Sequence, residues 1–144
     1  MSAMAGKYNF LIEQGTTVQF EIRIADEAGT PYDLTNTFGR MQIRPNYVDF
    51  VDVTTDLYVD ISSSIEPDGT GLYFKGIGKN LPETSGSIGV FISANKTEEF
   101  DFDVALYDLE LYEVDQGIGS LDSRGIIVMR ILEGEIELKR EVTR

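Results

Sequence analysis

Thr17-Val18-Gln19-Phe20-Glu21-Ile22-Arg23-Ile24 is the stretch whose pattern decides the fold. Val18, Phe20, Ile22 and Ile24 share one face of an extended chain, and Gln19, Glu21 and Arg23 share the other. Period two is what a half-buried strand requires, because successive side chains point to opposite faces. Just upstream, Tyr8, Phe10 and Ile12 alternate with Asn9, Leu11 and Glu13, and Gln14-Gly15 has the composition of a turn. These two segments are expected to form a hairpin.

The same pattern continues downstream. Turn formers crowd Asp26-Glu27-Ala28-Gly29-Thr30-Pro31, after which Met41 and Ile43 alternate with Arg40, Gln42 and Arg44. Pro45 cannot donate a ladder hydrogen bond, so it ends that strand or restricts it to a sheet edge. Segments 57–61 and 72–74 are weaker strand candidates. Gly76, Gly78, Asn80, Pro82 and Gly86 predict a long mobile loop, and 87–93 predicts a further strand. Asn95 to Glu99 show no alternation, which allows one or two helical turns over 94–100. In 104–113 the residues Ala105, Tyr107, Leu109 and Leu111 face inward, with Asp108 and Glu110 outward; 115–125 then predicts a long hairpin loop.

The last stretch requires an irregularity. Ile127, Met129 and Ile131 hold odd positions, whereas Ile136 and Leu138 hold even ones, so an extra residue must intervene; Glu133-Gly134 is the expected bulge. Eight to ten strands with almost no helix follow. The expected fold is all-β: a single antiparallel β-sandwich, immunoglobulin-like or jelly-roll-like, with long loops and at most one short helical turn, spanning residues 1–144 as one domain.

Composition bounds the function. The 144 residues suit one domain, and an apolar fraction of 42 % supports a core. Twenty-five acidic residues against 12 basic ones give a formal charge of −13, which repels nucleic acid and anionic lipid. Neither is expected as a partner, although acidic strips can dock on basic faces of other subunits. The longest aliphatic run, Ile126-Ile127-Val128-Met129, is far too short to span a bilayer. Met1-Ser2-Ala3-Met4-Ala5-Gly6 lacks the basic start and apolar stretch of a signal peptide, so synthesis and retention in the cytoplasm are expected.

Cysteine and histidine are both absent. Disulfides, thiolate nucleophiles, histidine-based triads and most zinc sites are thereby excluded. Carboxylates remain: Glu98, Glu99, Asp101, Asp103, Asp108, Glu110, Glu113 and Asp115 crowd one quarter of the chain, with only Lys96 nearby in sequence. A pair among them could serve glycoside hydrolysis, or Asp101 and Asp103, which share a face if extended, could ligate calcium. A solvated outer face is the plainer alternative and the one expected. Tyr32, Tyr47, Tyr58, Tyr73 and Tyr112 near loops are candidates for stacking on sugars. No catalytic, cofactor-binding or metal-binding residue is assigned, and no enzymatic activity is expected.

Several segments carry a resemblance: Tyr8-Asn9-Phe10-Leu11-Ile12-Glu13-Gln14-Gly15; Gly29-Thr30-Pro31-Tyr32-Asp33-Leu34-Thr35 leading into Gly39-Arg40-Met41-Gln42-Ile43-Arg44; Ala105-Leu106-Tyr107-Asp108-Leu109-Glu110-Leu111 with Met129-Arg130-Ile131-Leu132-Glu133-Gly134; and Glu141-Val142-Thr143-Arg144. Together they resemble small structural proteins encoded among the tail and baseplate genes of tailed bacteriophages. They are similar to the N-terminal β-sandwich of some upper-baseplate proteins. The resemblance implies a non-enzymatic virion component without cofactors, held to other tail or baseplate proteins and present in multiples of three or six copies. The expected docking elements are segments 46–60 and 76–86, the 113–125 hairpin and the polar chain ends. Two rival functions are a glycan-binding adhesion module of the tail and a carboxylate-dependent glycoside hydrolase.

Overall fold

The computed structural model describes residues 6–45, 58–113 and 127–142, and among them it contains nine strands and one short helix. The strands are β1 (Gly6–Lys7), β2 (Phe10–Glu13), β3 (Val18–Arg23), β4 (Thr37–Pro45), β5 (Val59–Ser62), β6 (Gly71–Tyr73), β7 (Ser87–Ile92), β8 (Val104–Glu113) and β9 (Ile127–Lys139). Helix α1 (Ala94–Glu98) falls where alternation lapses. Its N-cap is Ser93, whose side-chain oxygen accepts from the Lys96 amide. A 3₁₀ turn covers Glu83–Ser85. The expected hairpin loop at 115–125 lies outside the described residues.

Two sheets pack face to face, as expected of an all-β sandwich. The larger runs β1–β9–β8–β4–β5, with β2 also pairing β9, and the smaller runs β3–β7–β6. The inward residues foreseen on β4 and β8 are the core: Met41, Ile43, Ala105, Tyr107, Leu109 and Leu111 are buried, opposite Ile88, Val90 and Ile92 of β7. Each fully buried isoleucine or leucine contributes roughly 1.5–3 kcal/mol to holding the sheets together.

The expected hairpin does not form. Gln14-Gly15 does turn the chain, with Gly15 at φ 80°, but the turn passes from one sheet to the other. β2 instead pairs with β9 in parallel, Phe10 opposite Ile136 and Ile12 opposite Leu138, while β3 pairs antiparallel with β7. The physical reason lies in the faces. In a hairpin the apolar sets of both strands would face the same way. Across the sandwich Phe10 and Ile12 look toward Val18, Phe20 and Ile22 from opposite layers, with Ile12 buried and the other four partly buried against the core. β1 and β2 are the two exceptions to antiparallel pairing among the described strands.

The bulge exists but sits elsewhere. Leu109 pairs with Leu132 and Glu110 with Arg130, so Ile131 is the extra residue on β9. From there Leu132, Gly134, Ile136 and Leu138 hold the inward register positions. Gly134 instead makes room for a crossing chain. A Cβ there would collide with the carbonyl oxygen of Tyr8, where the chain steps from β1 to β2. At that step the Asn9 Oδ1 accepts from the Glu135 amide at 2.9 Å, standing in for a ladder bond. Segment 76–86 is tied down. Its Glu83 carbonyl accepts from Leu34, its Lys79 meets Glu21 at 2.9 Å, and Ile77 packs over Gly89 of β7.

Candidate functional site

The outward face of the larger sheet carries the most organised set of exposed side chains. On β8 the residues that alternate with the core are Val104, Leu106, Asp108 and Glu110. Antiparallel register sets Glu137 of β9 beside Val104, Glu135 beside Leu106, and Glu133 beside Asp108. β2 then places Leu11 on the far side of Glu137, and β1 places Lys7 beside Glu133. On the other flank, β4 sets Arg44 beside Leu106 and Gln42 beside Asp108.

This face holds apolar residues that a solvated sheet does not need. Leu11 is 50 % exposed, and Val104 and Leu106 are each 37 % exposed. A groove of about 590 Å³ crosses it, lined by Lys7, Gln42, Arg44, Leu106, Asp108 and Glu135 among others. Glu133, Glu135 and Glu137 form no ion pair with any described residue. Asp108 and Glu110 are bracketed by Arg130, at 3.4 and 3.6 Å. Burial and the neighbouring Glu110 raise the Asp108 pKa above the usual carboxylate range, with Arg130 and Arg44 pulling the other way. Anionic charge on this face is thus crowded and partly desolvated. The sequence holds a signal for it in Glu133-Gly134-Glu135-Ile136-Glu137, whose strict alternation runs straight across the position where the bulge was expected.

The carboxylate-rich quarter of the sequence does not converge on one site. Asp101 and Asp103 stand 86 % and 94 % exposed, held by Arg140 at 2.9 and 3.3 Å. A catalytic acid of a glycosidase pair needs a desolvated pocket, and these two project into solvent. Asp108 and Glu110 lie on the sheet face, Glu98 and Glu99 on and after α1, and Glu113 beside Tyr32; Asp115 is outside the described residues. Lys96, the cation nearest in sequence, turns away to Glu66 and Asp68, at 3.1 and 3.7 Å. The balancing charges come instead from Arg130 and Arg140, far along the chain. Among the described residues no group of three or more carboxylates is placed to hold a metal ion.

The tyrosines are also dispersed. Tyr32 donates to Glu113 at 3.4 Å, and its phenol is shifted upward, first by burial and then by Glu113. Tyr73 donates to the Gly69 carbonyl at 2.6 Å and meets Phe91 edge-on. Tyr58 packs on Phe102, ring centres 4.7 Å apart. Tyr112 stacks on Phe38, which is 44 % exposed, with centres 5.8 Å apart and planes 22° from parallel. Tyr47, most of segment 46–60, and the 113–125 hairpin beyond Glu113 lie outside the described residues. No protein-family model matches this chain, and no curated protein matches it either.

Proposed function

We propose that this chain is a structural protein of a tailed-bacteriophage virion, a tail or baseplate component that joins neighbouring subunits through protein–protein contacts. The resemblance of its segments to that family supports the viral setting. The observation that carries the contact role is the uncovered row of Leu11, Val104 and Leu106 on a sheet face. Exposed apolar side chains gathered on one rigid face mark protein interaction surfaces. The sandwich supplies the rigidity: β9 is held between β8 on one side and β1 and β2 on the other, so the face cannot deform without breaking a ladder.

Quantitative mass spectrometry of purified particles, with heads and tails separated before digestion, tests this function. Co-fractionation with tails at a fixed multiple of three or six copies is expected, in keeping with closed symmetry. Abundance in infected cells with absence from particles would overturn it. One observation favours a second function, host-glycan binding by the tail: the Phe38–Tyr112 stack offers a flat aromatic surface. Glycan-array binding that is lost in Phe38→Ala would establish it, and a blank array would remove it.

A further inference from the structure

The outward face of the larger sheet fits one kind of partner, a step that rests on the protein–protein function proposed above. Glu133, Glu135 and Glu137 recur at every second residue along β9, which spaces them about 6.6 Å apart. Leu11 and Val104 flank Glu137 and Leu106 flanks Glu135 on the neighbouring strands, while Glu133 lies between Lys7 and Asp108. An apolar surface set beside anionic groups is the complement of a lysine or arginine, whose apolar stem ends in a charged head. We infer that this face docks an extended segment of another protein carrying Lys or Arg at every second position. The stems lie against Leu11, Val104 and Leu106, and the cationic heads meet the three glutamates. A strand repeats its side chains at the same spacing as β9, so three successive heads reach three carboxylates without strain.

Charge decides among the occupants. Segment 46–57 of this chain carries Asp49, Asp52 and Asp56 and no cation, and 114–126 carries Asp115 and Asp122 against Arg124. A second copy brings a formal charge of −13. All three are repelled by a row of glutamates, whereas a basic segment is attracted and steered onto it.

The test uses the full chain, labelled with ¹⁵N, and two heptapeptides of lysine and threonine. One has lysine at the second, fourth and sixth positions, and the other has its three lysines adjacent. The alternating peptide is expected to shift the amides of Leu11, Val104, Leu106 and residues 133–137, and to bind at least several-fold tighter than the clustered one. Glu135→Lys with Glu137→Lys should weaken binding ten-fold or more. Glu98→Lys with Glu99→Lys, the same charge change at the end of α1, should weaken it less than two-fold. Equal weakening by the two double variants, equal binding of the two peptides, or no shifts on this face would each overturn the inference. Particle composition is read separately. A chain found in tails that ignores the peptide loses this docking face but keeps its structural function, and the converse result removes the viral setting alone.

Discussion

Among the described glycines, Gly134 has the least room for a side chain. A methyl group there would run into the Tyr8 carbonyl oxygen and, at 2.8 Å, the Asn9 side-chain oxygen. Gly134→Ala is therefore expected to push the β1–β2 step off β9, at about 1–3 kcal/mol, the usual penalty of overpacking. Urea denaturation measures it, and an unchanged midpoint would refute the close approach. The glycine was legible in the sequence, but as the site of the bulge; its actual neighbour is more than a hundred residues away, and no local pattern announces that. Asp68 is a second residue with a checkable role. Its carboxylate accepts from the Thr70 amide at 2.9 Å and from the Ser93 hydroxyl at 2.8 Å, and these bonds, the Thr70 amide first, lower its pKa from 3.8 to about 2. A depressed carboxylate pKa stabilises the fold above the unfolded value and loses that contribution as pH falls through the folded one. The turn at 66–70 should accordingly loosen between pH ~4 and ~2. An NMR titration of the Thr70 amide reads this directly; a midpoint near 4 would contradict it.

At the scale of elements, alternation revealed faces and concealed partners. β3, β4, β7 and β8 lie where period two placed them, with the predicted residues inward, because burial on one side is a property each strand writes into its own sequence. Pairing is written elsewhere. The turn at Gln14-Gly15 was legible, yet whether it closes a hairpin or crosses between sheets depends on which edges await each strand. Gln14 makes that crossing specific. Its buried amide donates to the Phe100 carbonyl at 2.9 Å and to the Glu98 carbonyl at 3.2 Å, and its oxygen accepts from the Glu141 amide at 3.0 Å. One side chain thus fastens the end of β2 to the end of α1, the residues just after it and the residues after β9. Gln14→Leu keeps the volume but leaves a buried carbonyl without this donor, which costs about 1–3 kcal/mol. Chemical denaturation checks the magnitude, and hydrogen exchange at Glu141 should quicken. A loss indistinguishable from zero would mean that the three segments are held by packing alone.

For the whole molecule, the charge read from composition meets a fold that concentrates it. The carboxylate-rich quarter looked like the candidate site because its acids are adjacent in sequence, but the fold disperses those and lines up three others. Glu133, Glu135 and Glu137 gain nothing from one another. Two like charges about 6.6 Å apart in a watery surround repel by roughly 0.6 kcal/mol, so Glu135, with a neighbour on each side, is disfavoured by about 1 kcal/mol. A sheet selected for stability alone would place a lysine there, since opposite charges on one face favour folding. Local rules are commonly broken where a surface is kept for a partner. Glu135→Gln should therefore raise the thermal midpoint in low salt, by about 2–4 °C for a domain of this size. That gain should shrink as added salt brings the Debye length from about 30 Å at 0.01 M to about 8 Å at 0.15 M. The parent protein should itself gain stability over the same salt range as its −13 surplus is screened. Thermal melts of both chains across sodium chloride concentrations decide the matter. Converging curves support a self-repelling row that a cationic partner relieves. Parallel curves, or a parent destabilised by salt, would mean that ion pairs such as Arg130 with Asp108 outweigh the row, and that its alternation carries no energetic cost for a partner to recover.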